Sequence, residues 1–203
     1  MTSLGAELCA VSDAISINTL MLDFIKVLEG KSNQKEVEII PLRFTKRDVS
    51  PVMSDDTLEL HKKLAQGYAT RYNNNEGDRS LNEAGVFLHN LWFEQFREVR
   101  PINNPNGPML TFINKHFGSY GEFKDMFLEE AMKIQGSGWI YLSTTGKIET
   151  IENHEVRDDI LVLVDWWEHA WILDYGADKK KYLKELWKII DWNRISTRWG
   201  KSL

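Results

Sequence analysis

A carboxylate and an imidazole lie four residues apart at the end of a strongly apolar segment. The residues ILVLV (160–164) are followed by Asp165, two tryptophans, Glu168 and His169. A carboxylate at the end of a buried strand is costly unless it is paired, so Asp165 needs a partner such as a metal ion. Aspartate together with histidine suits first-row metals. The same spacing also fits a capped helix with a surface histidine, and alone it does not separate the two interpretations.

Two helical segments in the first half of the chain precede this site. Ser54 is a potential N-cap, Asp55 and Asp56 suit a first turn, and a helical run follows until the NNNEGDRS segment breaks it. A second helix is predicted over residues 81–98, and the short connection implies an antiparallel hairpin. Residues 7–29 also carry apolar positions at helical spacing.

The second half of the chain mixes helices with strands. Helical patterns occupy residues 108–117 and 120–133, and helix is predicted again from Glu168 to Ile195. Between them, GWIYLSTTGKIETIE predicts two strands around a Thr145-Gly146 turn, and ILVLVD predicts a third, buried strand. The sequence therefore predicts an α+β fold, in which an N-terminal helical hairpin is followed by an α/β domain with a three-stranded antiparallel sheet.

The predicted domain organisation has three parts. Residues 1–39 form an N-terminal helical extension, residues 40–100 a helical hairpin domain, and residues 107–203 a C-terminal α/β domain. The segment PINNPNGP, which joins the last two, has the proline, asparagine and glycine content of a connection between domains.

Composition and charge exclude several classes of protein. The net charge of -5 argues against a nucleic-acid-binding surface, and no apolar segment approaches the roughly 20 residues that span a bilayer. The single cysteine, Cys9, excludes an intramolecular disulfide and fits a reducing compartment. Residues 1–39 lack the pattern of a secretory or transit peptide. We therefore expect a soluble protein, cytoplasmic or otherwise intracellular, with no nucleic-acid or membrane partner.

Several segments around Asp165 and His169 resemble the iron/manganese superoxide dismutases. VDWWEHAWILDY followed by KYLKELWKIIDW is similar to the C-terminal signature of that family, and FGSYGEFKDMF and QGSGWIYL are similar to the segments before it. VFLHNLWFEQF and SPVMSDDTLELH resemble the segments that hold the family's helical ligands. These motifs cover about residues 40–199 in consistent order, so the set is more specific than any one motif.

The resemblance implies a mononuclear metal site that disproportionates superoxide to oxygen and hydrogen peroxide. The residues that match the family's ligands are His61, His89, Asp165 and His169. One iron or manganese ion per chain is implied, and the sequence does not choose between the two metals. Because the ligands come from both halves of the chain, metal binding should also stabilise the fold.

A further side chain in this family contacts the metal-bound solvent, and the resemblance assigns that role to His154. The segment I-E-N-H-E places His154 at the sheet position, whereas the helical position, four residues before His89, holds Gly85. The pattern resembles a histidine-bearing subgroup of the family. The alternative interpretation of His154 is a surface histidine at the edge of a strand.

The remaining matches concern the walls of the site and its quaternary structure. Trp92, Trp139 and Trp167 correspond to the family's aromatic shell, and plain core packing, the alternative, coincides with that role. Glu168 corresponds to the residue that reaches a ligand histidine of the partner subunit, so it predicts a symmetric homodimer.

The entrance to the site departs from the family pattern. Ala65 and Ala69 stand where the family has a gate histidine and a gate tyrosine. Tyr68 is the expected substitute, because seven residues of helix place it within roughly 20° of the face that carries His61.

The residues that guide anions in the family are also altered. Ile172 replaces a tyrosine that meets the partner's gate, and Gly176 replaces an arginine or lysine, although Lys179 lies nearby in the sequence. Because anion steering depends on such charges, a reduced turnover is expected.

Three hypotheses for function remain. The leading one is superoxide dismutation, which the retention of all four matching ligands favours. The second is a non-catalytic, superoxide-dismutase-like structural or interaction subunit, suggested by the altered gate and by residues 1–39. Those residues have no counterpart in the family and could be a packing helix, an oligomerisation arm or a docking element for another protein. The third is a redox metal site with another substrate, such as peroxide.

Overall fold

A computed structural model describes residues 35–201 of the chain. Val37–Leu203 cluster as one compact unit, so the expected boundary between residues 40–100 and 107–203 lies inside that unit and stays a prediction. The helix predicted over residues 7–29 and most of the extension predicted over residues 1–39 lie outside the described residues. Within the described part, no helix has both the length and the apolarity that crossing a membrane requires.

The first half of the described chain is an antiparallel helical hairpin, as predicted. After a short helix α1 (Lys46–Val49), α2 (Asp55–Asn73) begins at Ser54, whose side chain accepts a hydrogen bond from the Thr57 amide. Helix α3 (Arg79–Glu94) begins at Asp78, which caps the Leu81 amide in the same way. These caps satisfy amides that have no partner inside the helix. The second helix therefore starts earlier and ends earlier than the predicted 81–98.

Two helices and a three-stranded sheet follow the hairpin. The helices are α4 (Gly107–Phe117) and α5 (Tyr120–Lys133), and the strands are β1 (Gly138–Ser143), β2 (Ile148–Glu152) and β3 (Ile160–Asp165). The sheet is antiparallel with the order β2-β1-β3, which confirms the predicted fold class. Gly146 makes the β1–β2 turn at φ 80, a conformation that favours glycine.

The register of the sheet places three later site positions near one another. Trp139 on the central strand β1 lies opposite Asp165 on β3 and Ile151 on β2. Strands β1 and β3 are buried along their whole length, so this end of the sheet is covered by protein on both faces. His154 follows the end of β2 by two residues and therefore lies at the same end of the sheet as Asp165.

The C-terminal tail is helical, but it is not the continuous run that the sequence pattern predicted. A 3-10 turn (Glu168–Ala170) leads into the short helix α6 (Ile172–Tyr175), which ends at Gly176 with φ 56. Helix α7 (Lys179–Leu186), a second 3-10 turn (Trp187–Ile189) and α8 (Trp192–Lys201) follow. The prediction of one run was wrong because a left-handed glycine and the extended Ile190 interrupt it.

A buried glutamine joins the hairpin to the sheet. Gln95, just past the end of α3, donates from Nε2 to the carbonyl oxygen of Leu163 at 2.5 Å and accepts from the Leu163 amide at 3.0 Å. The side-chain amide thus pairs with the outer edge of β3 as another strand would. This contact fixes the position of β3 relative to the end of α3. It thereby also fixes the position of Asp165, two residues after Leu163.

Candidate metal centre

Four of the five histidines in the chain and one aspartate lie at the junction of the hairpin and the sheet. His61 comes from α2, His89 from α3, Asp165 from the last position of β3, and His169 from the 3-10 turn that follows. The Oδ2 atom of Asp165 lies 3.5 Å from Nε2 of His61, 4.0 Å from Nε2 of His89 and 3.2 Å from Nε2 of His169. The structure therefore brings together all four residues that match the family's ligands.

The two helical histidines are oriented by their own backbones. Nδ1 of His61 lies 2.9 Å from the carbonyl oxygen of Thr57, and Nδ1 of His89 lies 2.7 Å from that of Gly85. A carbonyl oxygen only accepts, so each Nδ1 carries the proton and each Nε2 presents a lone pair. Both Nε2 atoms are buried and have no hydrogen-bond partner in the described structure. Such buried, unpartnered nitrogen atoms are the form in which histidine binds a metal ion.

Asp165 is held as a carboxylate although it is completely buried. Burial alone would raise its pKa, but the nearby His169, which also bonds the carboxylate, outweighs that effect and holds the pKa of Asp165 below its usual range. Its Oδ1 atom accepts from the Trp167 amide at 2.8 Å. Burial lowers the pKa of His89 to about 4, so this imidazole is neutral at physiological pH. An anionic carboxylate beside a neutral imidazole is the protonation state that metal binding requires.

The spacing of the donor atoms fits one first-row metal ion. Two nitrogen or oxygen donors at about 2.1 Å from a shared ion lie about 3.0 to 4.2 Å apart, depending on the angle between the bonds. The three distances from Asp165 Oδ2, 3.2 to 4.0 Å, fall within that range. The donor atoms of His61, Asp165 and His169 also lie within 4.8 Å of one another. His61, Asp165 and His169 therefore fit a mononuclear site, and His89 lies beside that group with its Nε2 4.0 Å from Asp165 Oδ2.

Three tryptophans line the cluster. The Trp92 ring stacks on His61 with 4.5 Å between centroids, and the Trp139 ring meets His89 edge-on at 5.1 Å. Trp167 stacks on His154 at 4.9 Å. Trp92 and Trp139 are fully buried, so here the aromatic wall of the site and the hydrophobic core are the same residues. Such walls exclude water from the donor atoms.

His154 lies beside the cluster and is buried, with 8% of its surface exposed, so it is not the surface histidine of the alternative interpretation. Its Nδ1 accepts a hydrogen bond from the indole N–H of Trp139 at 2.9 Å. Its Nε2 lies 2.7 Å from the hydroxyl oxygen of Tyr68. Burial lowers the pKa of His154 to about 4, so the ring is neutral and its one proton resides on Nε2. His154 therefore donates to Tyr68, and the hydroxyl proton of Tyr68 is left for another acceptor.

Gly85 makes room for the Tyr68 ring. A Cβ atom at position 85 would lie 2.6 Å from Cγ of Tyr68, and two other ring carbons would be closer than 3.0 Å. Tyr68 packs against the His89 ring at 5.6 Å between centroids and is partly exposed. Tyr68 therefore occupies the space beside position 85, on the side of the cluster from which solvent is reached.

The outer side of the cluster carries exposed groups. Glu168 is exposed, and 18% of the His169 side chain is accessible. Ile172 and Leu173, which follow on α6, are exposed apolar residues. By contrast, Ala65 and Ala69 are buried against the hairpin core. The exposed carboxylate of Glu168 and the exposed apolar side chains of Ile172 and Leu173 thus lie close in sequence to His169.

Sequence reasoning missed two contacts near the cluster. Arg71 lies over the Tyr68 ring, with 4.7 Å from Cζ to the ring centroid. The spacing of three residues on one helix was a signal that could have found this pair. Tyr182 donates to the backbone oxygen of Asp165 at 2.9 Å, a contact between distant segments that no local pattern indicates.

Comparisons with known proteins find similar sequences in one family. Residues 105–198 match the family model described as iron/manganese superoxide dismutases, C-terminal domain. A superoxide dismutase [Mn/Fe] from Porphyromonas gingivalis is 31% identical, and the alignment covers 80% of this chain and 98% of that protein. A superoxide dismutase [Fe] from Bacteroides fragilis is 31% identical over 79% of this chain and 98% of its own length. A superoxide dismutase [Fe] from Pyrobaculum aerophilum is 27% identical, with 83% and 94% covered.

Proposed function

The chain belongs to the iron/manganese superoxide dismutase family, and on that premise we propose that His61, His89, Asp165 and His169 hold its metal ion. The protein is an enzyme that disproportionates superoxide and carries one iron or manganese ion per chain. In the reaction, one superoxide gives up an electron and leaves as oxygen, while a second takes up that electron and two protons and leaves as hydrogen peroxide. When bound, the ion supplies the redox chemistry by alternating between the +2 and +3 states.

The observation that carries the ligand assignment is the pair of buried, unpartnered Nε2 atoms on His61 and His89, which face the carboxylate of Asp165. A structural subunit would gain nothing from two buried nitrogen lone pairs without donors, since each costs free energy. A bound cation removes that cost. The comparisons also favour the enzyme over the non-catalytic alternative.

We assign the handling of protons to His154 and Tyr68. The Nε2–H group of His154 donates to the Tyr68 oxygen, so the Tyr68 hydroxyl can donate its own proton to an acceptor in the pocket. The indole of Trp139 holds the His154 ring in the required tautomer. The two residues thus orient a donor toward the space beside the metal ligands, where the product needs protons.

We further propose that Glu168 joins two copies of the chain. It is exposed and adjacent to His169, and the exposed Ile172 and Leu173 extend the surface with apolar area that a partner would cover. A carboxylate that bonds a ligand imidazole of the other subunit would fix its orientation in both copies. Binding of another protein through residues 1–39 and an intracellular location stay predictions from the sequence.

The function is tested by superoxide decay on protein from which the metal has been removed and to which iron or manganese has been returned separately. Decay should accelerate with at least one of the two metals and stop when the metal is removed again. If neither reloaded form accelerates the decay although each carries about one ion per chain, the proposed chemistry is wrong even though the site binds metal.

A further inference from the structure

An arginine lies beside the exposed end of the site. Arg71 follows Tyr68 by three residues on α2, and its Cζ atom lies 4.7 Å from the centroid of the Tyr68 ring. The Tyr68 hydroxyl in turn bonds His154, and the Tyr68 ring packs on His89. The guanidinium is therefore one residue removed from both His154 and the proposed ligand His89.

A buried amide from the other hairpin helix holds this guanidinium in place. Nε of Arg71 donates to Oδ1 of Asn82 at 3.0 Å, and Nδ2 of Asn82 donates to the carbonyl oxygen of Glu76 at 2.8 Å. Asn82 is 2% exposed, so its orientation is fixed by its surroundings. The guanidinium is thus anchored at one nitrogen while it lies over the Tyr68 ring.

The charge of Arg71 has no carboxylate partner in the described part of the chain. Within residues 35–201, no carboxylate oxygen lies within 4.0 Å of its guanidinium, whereas Arg97, Arg157 and Arg194 all have such partners. An unneutralised cation at a pocket entrance raises the local concentration of anions.

Lys179, the cation that lies near the replaced anion-guiding position Gly176 in the sequence, is located elsewhere. Nζ of Lys179 lies 4.9 Å from the Trp171 ring and 5.6 Å from the Trp166 ring, both of which belong to the core behind β3. Lys179 is therefore placed over aromatic packing, while Arg71 is placed over the residue that borders the entrance.

Building on the function proposed above, we propose that Arg71 is the cation that attracts the superoxide anion to the entrance beside Tyr68, and that Asn82 positions it. The residue acts through its field and does not take part in electron or proton transfer. Attraction of this kind raises the rate of encounter and is screened by salt, because the Debye length falls from about 30 Å at 0.01 M to about 3 Å at 1 M ionic strength.

The test compares Arg71→Gln, Arg71→Lys and the unsubstituted enzyme, all loaded with iron and checked for metal content. kcat/KM for superoxide is measured at low and at high ionic strength, and azide, a small anion, is titrated by its absorbance change on the ferric protein. Arg79→Gln is the matched control, since Arg79 also lies 4.7 Å over a tyrosine, Tyr72, that contacts none of the four ligands in the described structure. Lys179→Gln tests the other cation.

Arg71→Gln should lower kcat/KM and weaken azide binding by roughly threefold at low ionic strength, and both losses should vanish at high salt. Arg71→Lys should retain most of the effect, and Arg79→Gln should behave as the unsubstituted enzyme. The proposal is overturned if Arg71→Gln leaves both quantities unchanged at low salt, or if its loss is equal at all salt concentrations and is shared by Arg71→Lys. Absence of any metal-dependent activity in the unsubstituted protein would instead overturn the proposed function itself.

Discussion

The hydroxyl oxygen of Tyr68 lies 2.7 Å from Nε2 of His154, so a helix of the hairpin and the loop after β2 are joined by a hydrogen bond beside the metal centre. Trp139, on the central strand, holds the other nitrogen of the same ring at 2.9 Å. The donor and acceptor in both of these hydrogen bonds follow from the Trp139 indole, whose N–H group can only donate.

Replacement of His154 separates metal binding from catalysis. His154→Ala should keep the metal, because His154 is outside the ligand set, and should lower activity by about tenfold or more, as loss of an outer partner often does. His154→Gln should recover part of the activity, because an amide can accept from Trp139 and donate to Tyr68. Metal content and superoxide decay are measured on each variant. Full activity in His154→Ala would show that this residue has no part in the reaction.

Gly85 tests the packing of Tyr68. In Gly85→Ala the new Cβ would lie 2.6 Å from Cγ of Tyr68, so the ring must move away from position 85. We expect a loss of about 1 to 3 kcal/mol in the free energy of unfolding, measured by urea denaturation, together with reduced activity.

Gly121→Ala is the control for this substitution. A Cβ at position 121 in α5 would have only an ordinary contact, 3.7 Å from Oγ of Ser119, so little loss is expected there. Equal stability of Gly85→Ala and the unsubstituted protein would mean that the Tyr68 ring can shift at no cost.

The fold was largely predictable because its elements carry strong local signals. Ser54, Asp55 and Asp56 mark the start of α2, and the apolar run 160–164 marks a strand buried on both faces. The C-terminal tail was not predictable in the same way. Its helical periodicity continues across Gly176 and Ile190. The break at Ile190 comes with contacts to distant residues, a bridge between Ile190 and Phe96 and a hydrogen bond from the Asp191 amide to the Gln95 carbonyl oxygen.

Glu168 tests the proposed dimer. Because a carboxylate bonded across an interface leaves a partner group unpaired when it is removed, Glu168→Ala should raise the dimer dissociation constant by about tenfold or more. Sedimentation velocity over a range of concentrations measures the change. Glu129→Ala, which removes an exposed carboxylate from α5, should leave the association unchanged. A Glu168→Ala protein that sediments as the unsubstituted one does would remove Glu168 from the interface.

Removal of the metal tests whether the ion stabilises the fold. The four proposed ligands come from two helices, a strand and a turn, so an ion that binds only the folded state should raise the midpoint of thermal unfolding. Binding at about a thousandfold above the dissociation constant contributes about 4 kcal/mol, or roughly 10 °C for a unit of this size. Calorimetry before and after chelation measures the shift, and His61→Ala should show none. An unchanged midpoint after complete removal would contradict the coupling.

The ligand set and its surroundings differ in how far the sequence could predict them. His61, His89, Asp165 and His169 lie in segments that resemble the family, so the sequence alone is enough to name them as ligand candidates. The Tyr68–Gly85 packing depends on the distance between two helices, and the Arg71–Asn82 contact depends on the rotation of one helix against the other. Neither quantity is encoded in local periodicity.

The most direct test is the ratio of iron plus manganese to protein, measured by elemental analysis after expression with both metals available. The unsubstituted protein should contain about one ion per chain, and Asp165→Ala, which removes the donor shared by the three histidines, should contain almost none. His116→Ala, which removes the one histidine outside the cluster, should match the unsubstituted protein. An Asp165→Ala protein with undiminished metal would contradict the assignment of the ligands, and with it the account of the site.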